Sequence, residues 1–571
     1  MKEKDIGLFE EWPFRVPGLE STKKKIQMIT EEFKNASSEQ KAYQAYRKSV
    51  RLMDKLQDQC TYIQVLYSLD TTNKKYEKAQ NKLNQILPLI EVEQLEFMKA
   101  MLSSPYRPYL EKKLGTFLFT MYEYSLKAFD ERVVEEAQKE AELTMKYGAA
   151  IASCQIEFRG QTYNLPQMGK FLSDVDRETR LEAAKAYYGY LETRKDELEG
   201  YYDELVKIRT QMARKLGYKS YTELGYIRMF RYDYDQKMVA SYREEIRDVV
   251  TPICQKLIKE QIKLLGIKNP TLVDLNLHFK NGNPIPKGST EDKVKSAQIM
   301  YEKMSPETSY YFNYMVEHHL LFLDAKPGKQ SGGYMTEFPL HKCPIIFSNF
   351  NGTSGDVDVL THEFGHSFQY FNSRNIKVPE YRMPTAESCE IDSMSMEFFA
   401  HPYMDLFFDN PDQYRYAHLA DSIEFLPYGA TVDEFQHWVY DHPEATPAER
   451  DAKWHELEVK YTPWKVELSQ EIPYLYSGHR WLTQGHIFEN PFYYIDYTLA
   501  QVLAFEFFNL DRKNHQKAWK KYMKLCKMGG KYPFCELVRR DGMKVPFDAG
   551  VLTKTVKPLV KVLRNYHPER F

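Results

Sequence analysis

The pentapeptide His362-Glu363-Phe364-Gly365-His366 puts two imidazoles one helical turn apart with a carboxylate between them. Positions i and i+4 of a helix share a face, so both ring nitrogens can reach one Zn²⁺ while the glutamate stands ready to take a proton from water. The pattern implies a zinc peptidase. Immediately upstream, Thr353-Ser354-Gly355-Asp356-Val357-Asp358 supplies cap-type residues and two carboxylates, which predicts a helix starting near Asp356. On that helix His362, Glu363 and His366 share a stripe with Val359 and Tyr370, while Leu360, Phe364, Phe368 and Phe371 form an opposing apolar stripe for the core. Gly365 is the odd choice in such a place. An interior glycine costs about 1 kcal/mol relative to alanine, and close approach by a second helix is a reason to keep it.

A hydrolytic zinc site needs a third protein ligand and one open position. The segment from Pro384 to Phe399 is the natural donor: Pro384 opens it, and Ile391, Met394 and Phe398 repeat at helical spacing, so it reads as a second, largely buried helix. Glu387, Glu390 and Glu397 lie close to one stripe of it, and buried carboxylates need partners. Glu387 and Glu397 are about 15 Å apart along such an axis, so both cannot touch one ion. Spacing alone does not choose between Glu387 and Glu390.

Three longer stretches resemble the thimet oligopeptidase and oligoendopeptidase F group of zinc metallopeptidases, most closely the oligoendopeptidase F branch. They are Thr361-His362-Glu363-Phe364-Gly365-His366-Ser367-Phe368, then Glu390-Ile391-Asp392-Ser393-Met394-Ser395-Met396-Glu397-Phe398-Phe399, and later His486 followed by Pro491-Phe492-Tyr493-Tyr494-Ile495-Asp496-Tyr497. The resemblance implies that Glu390 completes the zinc site and that Glu397 orients an imidazole from the outside. It also implies that a histidine and tyrosines of the last stretch face the substrate carbonyl. Those are His486 and Tyr497 here, with Tyr493 and Tyr494 as alternatives.

Peptide hydrolysis develops negative charge on an oxygen, so donors must stand where that charge forms. Ser477-Gly478-His479-Arg480, His486 and the tyrosines from 493 to 497 are dense in such donors. Ahead of the pentapeptide, the run Pro344-Ile345-Ile346-Phe347-Ser348-Asn349-Phe350-Asn351-Gly352 is β-branched and aromatic and reads as a strand. By the resemblance this strand offers an exposed edge to the substrate backbone. Gly332-Gly333-Tyr334 reads as a turn or as a loop that touches the peptide.

Composition agrees with an intracellular enzyme. The 571 residues carry 78 Lys and Arg against 80 Asp and Glu, so no basic surplus points to nucleic acid or to a membrane surface. The first residues lack the apolar core of a secretory signal, and no run suffices for a membrane span. Seven scattered cysteines, without a C-x-x-C pair, suit reduced thiols and a cytoplasmic location.

Apolar residues at three- and four-residue spacing predict helices over 76–102, 131–147, 174–213 and 241–265. The expected architecture is mainly α with a small sheet near 330–350. The resemblance adds a zincin-like fold with two helical lobes around a deep substrate channel. No linker divides the chain, so a single oligopeptidase unit over 1–571 is expected. Its approximate parts are an N-terminal helical lobe at 1–200 and a catalytic region at 201–571, with the zinc helices at 356–371 and 385–400. The expected activity is that of a zinc metalloendopeptidase, with one Zn²⁺ per chain and Glu363 as general base, acting on short unstructured oligopeptides. A non-catalytic zinc-containing peptide-binding protein, or a carboxypeptidase or dipeptidase on the same site, is the alternative.

Overall fold

Periodic apolar residues fold into helix along most of the chain in the computed structural model, which describes residues 5–571. Helices Lys74–Leu102, Val134–Ala152 and Arg177–Lys215 cover three of the expected segments. The fourth is not one uniform helix. Gln236–Glu245 passes through a five-residue π segment, Ile246–Val250, into Thr251–Leu265. Pro252 has no N–H for the carbonyl four residues back, so the hydrogen-bond ladder widens where it enters. Pro427 lies inside the long helix Pro411–Asp441, which continues through it without a π segment. It leaves the Ile423 carbonyl without an in-helix donor, and the Cys254 thiol donates to that oxygen at 3.7 Å.

Two small sheets complete the architecture. β1 (Ile156–Phe158) and β2 (Gln161–Tyr163) form an antiparallel hairpin far from the pentapeptide in sequence. The larger sheet contains β3 (Leu321–Asp324), β4 (Tyr334–Phe338) and β5 (Cys343–Phe350) in the order β3-β5-β4. β5 pairs parallel with β3, Leu321 opposite Ile346, and antiparallel with β4, Tyr334 opposite Phe347. The expected strand edge at 344–352 is therefore corrected. β5 is the central strand, its backbone taken on both sides and most of its residues buried, and β4 is the outer strand. A nearly unbroken apolar run is what a fully covered strand requires.

The turn after β5 aims the pentapeptide helix, Gly355–Ser373. Asp356 accepts the backbone N–H groups of Asn351 at 2.8 Å and Gly352 at 3.0 Å, which ties the strand end to the first helical turn. Leu360, Phe364, Phe368 and Phe371 are at most 2% exposed, and each buried side chain of this size contributes roughly 1.5–3 kcal/mol. Phe364 packs on Tyr301 with ring centroids 4.1 Å apart.

The acidic helix Ala386–Ala400 crosses at Gly365. A Cβ there would sit 2.5 Å from Cα of Ser393 and 2.7 Å from the Asp392 carbonyl oxygen, so only glycine lets the two backbones meet. The tyrosine helix Tyr494–Asp511 packs against the acidic helix from the other side. No helix among the described residues is long and apolar enough to cross a membrane.

Candidate metal centre

Two helices, crossing at Gly365, converge three side chains. Nε2 of His362 lies 3.1 Å and Nε2 of His366 lies 3.4 Å from the same oxygen, Oε2 of Glu390. The three donor atoms all fall within 4.8 Å of one another, a spacing at which one cation can be shared. Glu387 is not part of this group. Its buried carboxyl sits near Asp496 and Arg231, and burial followed by repulsion from Asp496 pushes its pKa well above the ordinary glutamate value.

The electrostatics of the trio suit a cation. Burial opposes ionisation of Glu390, yet the His366 and His362 imidazoles outweigh it and hold the carboxyl well below its ordinary range. Burial likewise opposes charge on His362, but Glu390 and Glu397 prevail, so positive charge is strongly favoured at this point. A donor set of two imidazoles and one carboxylate matches zinc chemistry.

Glu397 lies behind the trio. Its Oε1 accepts from Nδ1 of His362 at 2.6 Å, and its Oε2 accepts from Nε2 of His418 at 2.7 Å. His418 Nδ1 in turn meets His401 Nε2 at 3.0 Å, extending the line into the core. His418 stands on the long helix Pro411–Asp441, and nothing in its own sequence neighbourhood points toward the metal centre.

Glu363 lies beside the trio, where His362, His366 and Glu390 all act on its charge. It is 5% exposed, and its Oε2 is buried without a hydrogen-bond partner. Burial raises its pKa, with the two imidazoles pulling the other way. The Gly332-Gly333 turn lies beside it. Gly332 adopts a left-handed φ of 91°, and a Cβ on Gly333 would stand 3.0 Å from Val359 and 3.6 Å from Oε1 of Glu363. Tyr334 stacks on Phe347 at 4.7 Å where β4 begins.

The fourth wall comes from 484–497. Nε2 of His486 and the Tyr497 hydroxyl are 3.0 Å apart, and Gln484 Nε2 meets His486 Nδ1 at 3.0 Å. Burial lowers the pKa of His486 to about 4, so the ring is neutral at pH 7. The Tyr493 hydroxyl donates to the other oxygen of the trio's carboxylate, Glu390 Oε1, at 2.5 Å. Tyr494 touches the His486 ring edge-on at 5.1 Å.

Buried cations fasten this wall. Arg231 donates to the Phe492 carbonyl at 2.6 Å and to Asp496 at 3.0 Å, and the Phe492 N–H donates to Gln436 Oε1 at 2.6 Å. Phe492 itself has φ of 70°, a conformation costing a non-glycine residue on the order of 1–3 kcal/mol, offset by these bonds and by complete burial.

His479 and Arg480, expected among the donors, are elsewhere. His479 lies by Asp451 at 3.3 Å and Arg480 donates to Glu458 at 2.7 Å. Glu199, Asp451 and His479 form a second convergent group, but Lys195 already donates to Glu199 at 3.1 Å and the Trp481 indole to Asp451 at 2.9 Å. Its charge is met from within.

Comparison with known proteins agrees over the whole chain. Residues 9–129 match the Peptidase M3 N-terminal domain and residues 312–556 match Peptidase family M3. Among solved structures, a candidate oligoendopeptidase F is 40% identical, with 99% of this chain and 100% of that chain covered and a TM-score of 0.97. PZ peptidase A, solved with an inhibitor, is 40% identical over 98% of this chain and 100% of its own, TM-score 0.96. A candidate oligoendopeptidase F from Bacillus anthracis is 38% identical over 100% of both chains, TM-score 0.93. A search of curated proteins returned no match.

Proposed function

The chain belongs to peptidase family M3, and on that premise we propose that it is a zinc-dependent endopeptidase hydrolysing internal bonds of short, unstructured oligopeptides. The observation that carries this reading is the convergence of His362, His366 and Glu390 on one point, with the unpartnered carboxylate oxygen of Glu363 beside it. These three residues would hold the metal. A bound Zn²⁺ supplies Lewis acidity, polarising the peptide carbonyl and making water acidic enough to be deprotonated near neutral pH.

The remaining work falls to side chains. Glu363 takes the proton of the attacking water and passes it to the departing amine, a transfer suited to a carboxylate whose pKa burial has raised. His486 and Tyr497 donate hydrogen bonds to the oxygen on which negative charge develops, and both are neutral donors because burial disfavours their charged forms. Glu397 orients His362 by accepting its Nδ1 proton. Gly332, Gly333 and Tyr334 flank Glu363 and present backbone to an extended peptide, while Tyr493 and Tyr494 frame the opposite side.

In this reading the molecule is one oligopeptidase unit, with an N-terminal helical lobe at about 1–200 and a catalytic region at 201–571 enclosing a substrate channel. Such a channel would admit flexible peptides and exclude folded proteins. Seven free cysteines fit a reducing compartment, which supports a cytoplasmic location. The test is incubation of the purified protein with defined peptides, with and without a chelator, and mass spectrometry of the fragments. Internal cleavage abolished by the chelator is expected. Release of single residues or dipeptides from one end would replace the endopeptidase reading by an exopeptidase one, and intact peptides would remove both.

A further inference from the structure

Tyr428, Gln484, His486 and Tyr497 form a hydrogen-bonded line that ends beside the metal centre, and the Gln484 amide sets its direction. Gln484 Nε2 lies 3.0 Å from His486 Nδ1, and an amide nitrogen can only donate. His486 is neutral, since burial lowers its pKa to about 4, and it has one proton to give. With Nδ1 accepting, that proton is on Nε2, which lies 3.0 Å from the Tyr497 hydroxyl.

The Gln484 amide oxygen is turned the other way and accepts from the Tyr428 hydroxyl at 2.8 Å. The run from Tyr428 through Gln484 and His486 to Tyr497 thus points one way, and it leaves the Tyr497 proton for the oxygen on which charge develops.

We propose that Gln484 is a positioning residue that holds His486 as its Nε2–H tautomer, loading the donor onto the nitrogen that faces Tyr497 and the metal centre. The proposal rests on the reading that His486 and Tyr497 serve the developing negative charge. It explains why an amide, with a donor and an acceptor on one rigid plane, stands at this place: Tyr428 requires the acceptor and His486 requires the donor.

Gln484→Glu tests polarity at constant shape. A carboxylate there cannot donate, so His486 must place a proton on Nδ1, either by changing tautomer or by becoming an imidazolium. In ¹⁵N histidine spectra of the purified protein without substrate, with His486→Gln used to identify the signal, wild type is expected to show the Nε2–H form and Gln484→Glu to lose it. Turnover of a quenched peptide should fall about 100-fold with KM changed little, the loss typical of a misdirected donor. Gln484→Met, similar in length and without a donor, should melt close to wild type yet show the same direction of loss. An Nδ1–H signal in wild type, or a Gln484→Glu variant with unchanged spectrum and turnover, would overturn the proposal. A wild-type protein that cleaves no peptide would instead overturn the peptidase reading, and the spectrum would still decide the tautomer.

Discussion

Oε1 of Glu397 lies 2.6 Å from Nδ1 of His362, on the far side of the ring from Glu390. Glu397 holds the Nδ1 proton and with it the ring plane, so Nε2 is the nitrogen that gives up its proton when a metal binds. Removing that hold with Glu397→Ala should weaken zinc retention by about 10- to 100-fold, measured by competition with a chelator of known affinity. Unchanged affinity would mean that His362 is oriented by packing alone.

The crossing at Gly365 makes a sharper structural prediction. Gly365→Ala would place a methyl 2.5 Å from Cα of Ser393, a backbone atom that cannot swing aside. The helices bearing His366 and Glu390 must separate, with a destabilisation of about 3 kcal/mol or more, and metal content should fall with it. Thermal melting with metal analysis on the same sample checks both; a variant matching wild type in both would remove the close crossing.

Much of this site is legible in the sequence, and the boundary is physical. The pentapeptide helix is signalled by its caps and apolar stripe, and Gly365 announces a close approach because glycine inside a buried helix needs a reason. The choice between Glu387 and Glu390 is not legible, since both occupy nearly the same stripe. Only the three-dimensional neighbours separate them, Asp496 and Arg231 for one and the imidazoles for the other. The run at 344–352 declares a strand but not its place in a sheet, because pairing partners are set by β3 and β4 across long connections. His418 and Gln484 carry no local pattern at all. They matter through partners brought in from other helices.

The tyrosines differ in what their hydroxyls touch. Tyr493→Phe removes the donor to Glu390 Oε1 and leaves a buried carboxylate oxygen with one partner fewer, which should weaken zinc binding by about 10-fold or more. Glu387→Gln, outside the trio, should leave zinc content unchanged. Chelator competition on the two variants separates the cases, and zinc loss in Glu387→Gln alone would move the third ligand to that residue.

Glu424 offers a pH-dependent test of stability outside the metal centre. Burial, reinforced by Asp421, raises its pKa from 4.5 to about 8. A folded-state value above the unfolded one means that folding takes up a proton between those limits, so this group's contribution declines as pH rises from 4.5 to about 8. Glu424→Gln should melt like wild type below pH 4.5 and increasingly higher than wild type toward pH 8. A constant difference across that range would show that Glu424 titrates normally.

The proposed hydrolysis depends on Glu363 acting on water at a metal held by His362, His366 and Glu390. The most direct measurement is the turnover of a quenched peptide by Glu363→Gln, with zinc content determined on the same sample. One zinc per chain with turnover reduced by about 10²- to 10⁴-fold is the predicted result. Wild-type turnover in the zinc-loaded variant would contradict it.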